Sequence, residues 1–148
     1  MAFRFSLQAL LHLRQSYERR ERLLLESLAQ QLAQVRHGIE ALEQVGLAAQ
    51  QRWVQDLEEG MAGSEIHFEA ASAGARAQRH NALMRQLAEL ERRHRRQQTV
   101  FRQAQQQREI LENLRDRYLD VYRQTQRRRE QQQLDDLFLM RRGAGSRS

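Results

Sequence analysis

Leucine and a few other residues recur every seven positions along most of the second half of the chain. The repeating positions are Leu83, Leu90, Gln97, Ala104, Leu111, Tyr118, Thr125, Gln132 and Leu139, with Leu87, His94 and Phe101 at the complementary spacing. No Gly, Pro or Cys interrupts the stretch between Ala75 and Arg142. A narrow apolar seam repeated over so many turns predicts one very long helix that packs against a partner helix.

The first half of the chain carries a similar pattern and predicts a first helix from about residue 6 to residue 59, with Ser6 as a plausible N-cap. Its seam consists of Leu10, Tyr17 and Leu24 and then, after a shift of four residues, of Leu28, Val35, Leu42 and Ala49. A shift of four residues in a heptad pattern is a stutter, and we expect it to unwind the supercoil locally.

The run from Gly60 to Ser64 breaks the pattern, and Ser64 or Gly74 marks the place where the chain can reverse. We therefore predict an all-α fold in which two long helices form an antiparallel coiled-coil hairpin with a short helix or loop at its tip. The chain is expected to be a single domain, residues 1–148, made of helix 1 (about 6–59), the tip (60–75), helix 2 (about 76–141) and a basic flexible tail (142–148). A homodimeric coiled coil with a hinge at residues 60–75 is the alternative.

A reversal near residues 60–75 also predicts which residues face each other, to within a turn of helix. The expected pairs are Leu24 with Tyr118, Leu42 with Phe101 and Trp53 with Leu90. At the open end, Phe3, Phe5, Leu7, Leu10 and Leu11 should meet Leu134, Leu137, Phe138, Leu139 and Met140. This is more apolar surface than two helices can hide between themselves. A bound partner and mutual coverage by frayed ends both remain open as explanations.

Charge is divided unevenly along the chain, whose net charge is +6. Residues 1–75 hold 7 Arg and 10 acidic residues, whereas residues 76–148 hold 18 Arg and 9 acidic residues. Opposite charge on the two halves favours pairing within the chain. The absence of Cys, and of any long apolar run, makes a cytosolic protein without a membrane-inserted segment the default expectation.

Signals for catalysis are weak. The five His residues show no pairing at helical spacing, and no phosphate-binding loop or nucleophile elbow is present. We expect no enzyme activity, no cofactor and no metal. The Arg clusters at 92–96 and 127–129 would suit a basic coiled coil that binds nucleic acid, but neighbouring acids and the lack of aromatic residues beside them favour a solvated face.

Both ends of the chain resemble one family. The opening run from Phe3 to Arg14, followed by Glu18, resembles the start of the FliJ family of flagellar type III export proteins. The closing run from Arg128 to Asp136 resembles that family's terminal motif, in which basic and acidic residues precede an acidic pair and a short basic tail. Length, the central glycine break and the antiparallel layout agree with the family over the whole chain.

This resemblance implies a cytoplasmic component, peripheral at the cell membrane, that acts as a stalk in the flagellar export apparatus. Its implied partners are the hexameric export ATPase, whose assembly and activity it would promote, the cytoplasmic domain of the export gate, and export chaperones. The stalk of a virulence-type secretion system is the alternative within this class.

The resemblance also implies binding residues. For the ATPase these are Phe5, Leu7, Leu10, Leu11, Arg14, Arg128, Glu130, Gln131, Asp135 and Asp136. Leu137 and Phe138 join them because of the apolar surface at the end of the chain. For the export gate, the implied residues are Leu42, Ala49 and Trp53.

Overall fold

The protein consists of two helices in a computed structural model that describes residues 2–145. Helix α1 spans Gln8–Glu59 (52 residues) and helix α2 spans Gly63–Gly145 (83 residues), and no strand occurs among the described residues. Hydrogen bonds and ion pairs join the two helices at several points, and residues later in α1 contact residues earlier in α2: Arg14 with Gln107, Glu21 with Gln97, Arg36 with Glu91 and Glu43 with His80. The predicted all-α antiparallel coiled-coil hairpin is confirmed.

The first helix begins two residues later than the sequence pattern suggested. A turn precedes it, in which the backbone NH of Gln8 donates to the carbonyl of Phe5 at 3.1 Å. The next hydrogen bond, from the NH of Leu11 to the carbonyl of Leu7 at 2.9 Å, already has helical spacing. This turn folds the apolar residues before the helix back onto it.

The connection between the helices comprises residues 60–62 only. Gly60 ends α1 with a φ of 90°, which is the left-handed conformation that glycine adopts without a steric penalty. The carbonyl of Ala62 then accepts hydrogen bonds from the NH groups of Glu65 (3.1 Å) and Ile66 (3.2 Å) and starts α2.

The predicted tip at residues 60–75 and the start of helix 2 near residue 76 therefore differ from the observed boundaries. Residues 63–75 form the first turns of α2. Gly74 stays helical because one glycine costs a helix only about 1 kcal/mol, and the alanines around it strongly favour helix. α2 also continues through residues 142–145, and the remainder of the predicted flexible tail, residues 146–148, lies outside the described residues.

The shorter connection changes the register, and the predicted residue pairs are wrong. Glu43 contacts His80, and a Cβ at Gly38 would lie 3.7 Å from Leu83. Each of these α1 residues thus faces an α2 residue about 20 positions nearer the turn than predicted. The reason is that the centre of the turn sets which residues face each other in an antiparallel pair. The expected contact of Leu42 with Phe101 is accordingly absent.

The chain folds into two compact units, and each unit has its own apolar cluster. The unit formed by residues 20–102 is centred on Leu32, Val35, Ile39, Leu83 and Leu90. The unit formed by residues up to 19 and from 103 onward is centred on Phe5, Leu11 and Leu111. The expectation of a single domain stays a prediction.

Within residues 2–145, neither helix has a stretch apolar enough to cross a membrane.

Candidate partner-binding surfaces

The last part of α2 extends beyond the residues that pair with the start of the chain. Phe3 packs against Tyr122 with ring centroids 5.5 Å apart, and Phe5 packs against Tyr118 at 5.8 Å. These are the contacts that the start of the chain makes furthest along α2. We call residues 123–145 the C-terminal extension. Every described residue after Gln126 is exposed.

Five large apolar side chains lie on this extension and remain between 55% and 70% exposed: Leu134, Leu137, Phe138, Leu139 and Met140. The prediction that they meet the apolar residues at the start of the chain is wrong, because the register places Tyr118 and Tyr122 there instead. Residues 137–140 are four consecutive helical positions, so their side chains point in all directions around the helix axis. The surplus apolar surface expected from the sequence is present, and it lies on a part of α2 that no residue among 2–145 covers.

Most of the polar candidate residues lie on the same extension. Arg128, Glu130 and Asp136 are exposed, and Gln131 Nε2 donates a hydrogen bond to Asp135 Oδ1 at 3.1 Å. This contact joins positions one helical turn apart and leaves the rest of the segment accessible to a partner. The closing motif and the apolar side chains thus form one continuous candidate surface.

The candidate residues at the start of the chain have a different environment. Phe5 and Leu11 are 7% and 0% exposed and pack with Leu111, and Leu7 is half-buried against the same cluster. Arg14 donates to the side-chain oxygen of Gln107 at 2.7 Å. Leu10 is the one apolar member of this set that reaches the surface. These positions hold the hairpin together, and the structure does not bring them beside the extension.

A second surface lies near the turn, where an apolar groove of about 520 Å³ runs between the two helices. We call it the turn groove. All three residues implied in export-gate binding, Leu42, Ala49 and Trp53, line it from α1. The α2 side consists of Ile66, Ala70, Ala73 and Ala77, together with the polar residues Glu69, Arg76 and His80. Sequence reasoning missed the α2 side because it assigned residues 60–75 to the tip.

Small side chains explain why a groove forms here. Alanines 70, 73 and 77 on α2 face a segment of α1 that contains Gly46 and Ala49. With few large side chains to fill the space, the two helices leave apolar surface accessible, and Trp53 is only half-buried. The spacing of these alanines, at intervals of three and four residues, is the sequence signal that could have revealed the groove.

Charged groups border the groove. His80 Nε2 lies 3.2 Å from Glu43 Oε1, which links the two helices at its rim. Glu69 makes no ion pair with any other described residue. Residues 53–75, some of which line the groove, contain five acidic residues and no Arg, so the chain around the turn is acidic.

A polar network joins the helices between Arg14 and Glu21. Arg108 forms ion pairs with Glu18 and, at 2.6 Å, with Glu112, which also accepts a hydrogen bond from Gln15. Partial burial lowers the pKa of Arg108, but hydrogen bonds and opposite charges from Glu18 and Glu112 outweigh it and raise this pKa above its ordinary value. These contacts fix the register and form no catalytic arrangement.

Buried Glu21 adds a further polar contact to the seam. Gln97 Nε2 donates to both the backbone oxygen and the carboxylate of Glu21, at 3.0 and 2.5 Å. Gln97 was recognised as a seam position, whereas Glu21 was not. Glu21 is polar, so the heptad pattern of apolar residues could not identify it as a seam position. Its contact with Gln97 became visible only when the structure gave the register of the two helices.

The two Arg clusters differ in their contacts. Arg92 and Arg93 both bind Glu89, at 2.9 and 3.2 Å, and Glu91 binds Arg36 across the hairpin. Acidic neighbours thus neutralise part of the first cluster, as expected for a solvated face. Within the described part of the chain, arginines 127–129 make no ion pair. Residues 2–145 also contain no group of His, Asp and Glu side chains that could hold a metal ion.

The chain was compared with known protein families. The family model described as "Flagellar FliJ protein" matches residues 3–147, which is nearly the entire chain. No match was found among curated proteins or among solved structures.

Proposed function

The chain belongs to the FliJ family and is a component of the flagellar export apparatus, and on this premise we propose that it is a stalk-like coiled coil that binds the hexameric export ATPase through its C-terminal extension. The same match favours the flagellar apparatus over a virulence-type secretion system. In this proposal the protein has no catalytic residues and acts by binding.

One observation supports the proposal most directly. The extension is a single helix that carries exposed apolar side chains in all directions. A flat partner surface would cover one side of such a helix and leave the other apolar side chains in water. A ring of subunits would surround the helix and cover all of them, and burial of apolar area is the main favourable term in association. Leu137 and Phe138 are the residues expected to contribute most.

Binding of this kind would promote both assembly and activity of the ATPase. A helix that contacts several subunits at once stabilises the ring relative to free subunits, because a ligand shifts an equilibrium toward the state that it binds better. Arg128, Glu130, Asp135 and Asp136 would supply the polar contacts that fix the orientation of the helix. Phe5, Leu7, Leu10, Leu11 and Arg14 would act mainly by holding α1 against α2.

The turn groove is proposed as the surface for the export gate. Leu42, Ala49 and Trp53 line one accessible apolar cavity, which is the kind of site that binds an apolar side chain of a partner. Binding of export chaperones, and a cytoplasmic location at the face of the membrane, are proposed from the family alone.

The test is to measure the hydrolysis rate and oligomeric state of the flagellar export ATPase of the same organism at rising concentrations of this protein. We expect ring formation together with faster hydrolysis. A double variant, Leu137→Ser with Phe138→Ser, should weaken both effects at least ten-fold while its helical circular dichroism stays unchanged.

The matched control is Leu23→Ser with Val121→Ser, which removes two side chains of similar exposure outside the extension. It should behave like the unaltered protein. Equal loss of stimulation in both double variants would contradict a specific role of the extension. Unchanged stimulation in the Leu137 and Phe138 variant would do so as well.

A further inference from the structure

We propose that the C-terminal extension of one copy of this chain docks into the turn groove of a second copy. The contact would place the apolar residues of the extension against the apolar floor of the groove. It shares the extension with the proposed function but requires no ATPase, so the two can be tested separately.

The shape of the groove suits a docked helix. Alanines 70, 73 and 77 line its α2 side, and small side chains let the backbone of another helix approach closely. Leu42, Trp53 and Ile66 add larger apolar side chains to the same lining. A third helix placed here would convert a two-helix seam into a three-helix contact and would cover the apolar surface that the hairpin leaves accessible.

The extension has the pattern of a helix that binds in a groove. Leu134, Leu137 and Phe138 lie at positions i, i+3 and i+4, which form one face of the helix. This spacing is the usual one for helices that insert anchors into an apolar groove. No described residue covers these side chains.

Charge favours the same contact. The region around the turn, residues 53–75, contains Asp56, Glu58, Glu59, Glu65 and Glu69 and no Arg. The extension contains six arginines, at positions 123, 127, 128, 129, 141 and 142, and three acidic residues. A basic helix is therefore attracted to the acidic end of the hairpin, and this attraction both speeds association and selects the partner surface.

The proposed contact joins two copies of the chain. A second copy supplies the same extension with the same charge and apolar pattern. A contact between copies makes association depend on the protein concentration, which a contact within one chain would not.

Self-docking would have a consequence for the proposed function. One face of the extension that we propose to bind the ATPase would be covered in the dimer, and so would the groove that we propose for the gate. Because one surface cannot hold two partners at once, an ATPase ring would have to displace the second copy before binding. The dimer would thus keep this face and the groove out of water until the export apparatus assembles.

Trp53 makes the docking directly observable, because it is the only tryptophan in the chain and lines the groove. The experiment titrates a synthetic peptide with the sequence of residues 126–145 into the full-length protein and follows tryptophan fluorescence. The peptide itself contains no tryptophan. We expect a saturable change in emission that weakens several-fold when the salt concentration rises, since the charges on both surfaces are exposed.

Two controls separate specific docking from general attraction. A peptide with Leu137→Ser and Phe138→Ser keeps every charge and should bind at least ten-fold more weakly. A full-length Ala73→Arg variant places a bulky positive side chain in the groove and should lose the response to the unaltered peptide, with unchanged helical circular dichroism. A scrambled peptide of the same composition should give no saturable response.

Sedimentation of the full-length protein completes the test in the absence of the ATPase. We expect concentration-dependent dimers that the Leu137→Ser and Phe138→Ser variant abolishes and the Leu23→Ser and Val121→Ser variant retains. A monomer at all concentrations with no peptide response would overturn the inference, as would dimers that persist without Leu137 and Phe138 or an equal response to the scrambled peptide. Failure of ATPase stimulation alone would contradict the proposed function and leave this inference standing.

Discussion

Phe5 packs edge-on against Tyr118, with ring centroids 5.8 Å apart and an interplanar angle of 67°. The pair joins the turn before α1 to α2 near the end of the paired region. Phe5 is 7% exposed, whereas Phe138, twenty residues further along α2 than Tyr118, is 65% exposed. Two phenylalanines near the two ends of the chain thus have opposite roles, one in the core and one on the surface.

Replacing Phe5 by alanine should therefore lower the free energy of unfolding by about 3 kcal/mol, because it removes a buried aromatic side chain from the cluster around Leu11 and Leu111. Thermal unfolding followed by circular dichroism measures the change. Phe138→Ala is the matched control and should shift stability by less than about 0.5 kcal/mol. Similar losses from both substitutions would show that the extension is packed against the hairpin.

The register can be tested by cross-linking, since the chain contains no native cysteine. A variant with Glu43→Cys and His80→Cys places two thiols at positions whose side chains now lie 3.2 Å apart, and a short bismaleimide should join them rapidly within one chain. A variant with Leu42→Cys and Phe101→Cys, which matches the register predicted from the pattern, should not cross-link. Mass spectrometry of the denatured protein distinguishes the two results, and the opposite outcome would favour the longer tip.

Of the two glycines at the connection, Gly60 should be the one whose replacement by alanine lowers the free energy of unfolding. An alanine there must adopt a φ near +90°, which costs about 1 kcal/mol for a residue with a Cβ. Gly63→Ala is the control, because a Cβ at Gly63 meets nothing within 4 Å and its φ is not positive. Chemical denaturation should show a lower unfolding free energy for Gly60→Ala and a change under about 0.5 kcal/mol for Gly63→Ala. Equal effects would mean that the turn does not depend on the left-handed conformation.

Arg108→Met should destabilise the hairpin by about 1 to 3 kcal/mol. The substitution leaves the Glu18 carboxylate, whose side chain is 12% exposed, without its cationic partner. Arg129→Met removes an exposed arginine that forms no ion pair with described residues, and it should change stability by less than about 0.5 kcal/mol. Urea unfolding of both variants measures the difference. A neutral result for Arg108→Met would indicate that Glu18 finds water or another donor.

Part of the fold could be read from the sequence because it depends on local periodicity. The heptad spacing of Leu83, Leu90 and Leu111 places these residues on one face of a helix whatever the partner is, and all three are buried. The glycine break near residue 60 correctly marked the end of the first helix, since glycine adopts the left-handed conformation found at Gly60 without a steric penalty. Two helices in an antiparallel pair followed from these two facts.

The register was decided by the tertiary structure, because heptad seams have the same spacing at every register and accept a slip by whole heptads. The position of the turn, rather than the spacing of the seam, determines that Glu43 contacts His80 and that Phe5 contacts Tyr118. The same choice decided the candidate sites. In this register Phe5 and Leu11 are buried and an accessible groove lies beside Trp53, whereas Leu137 and Phe138 are exposed among the described residues. The sequence by itself therefore determined the helices and the apolar residues, while the length of one connection determined which of those residues are available to bind.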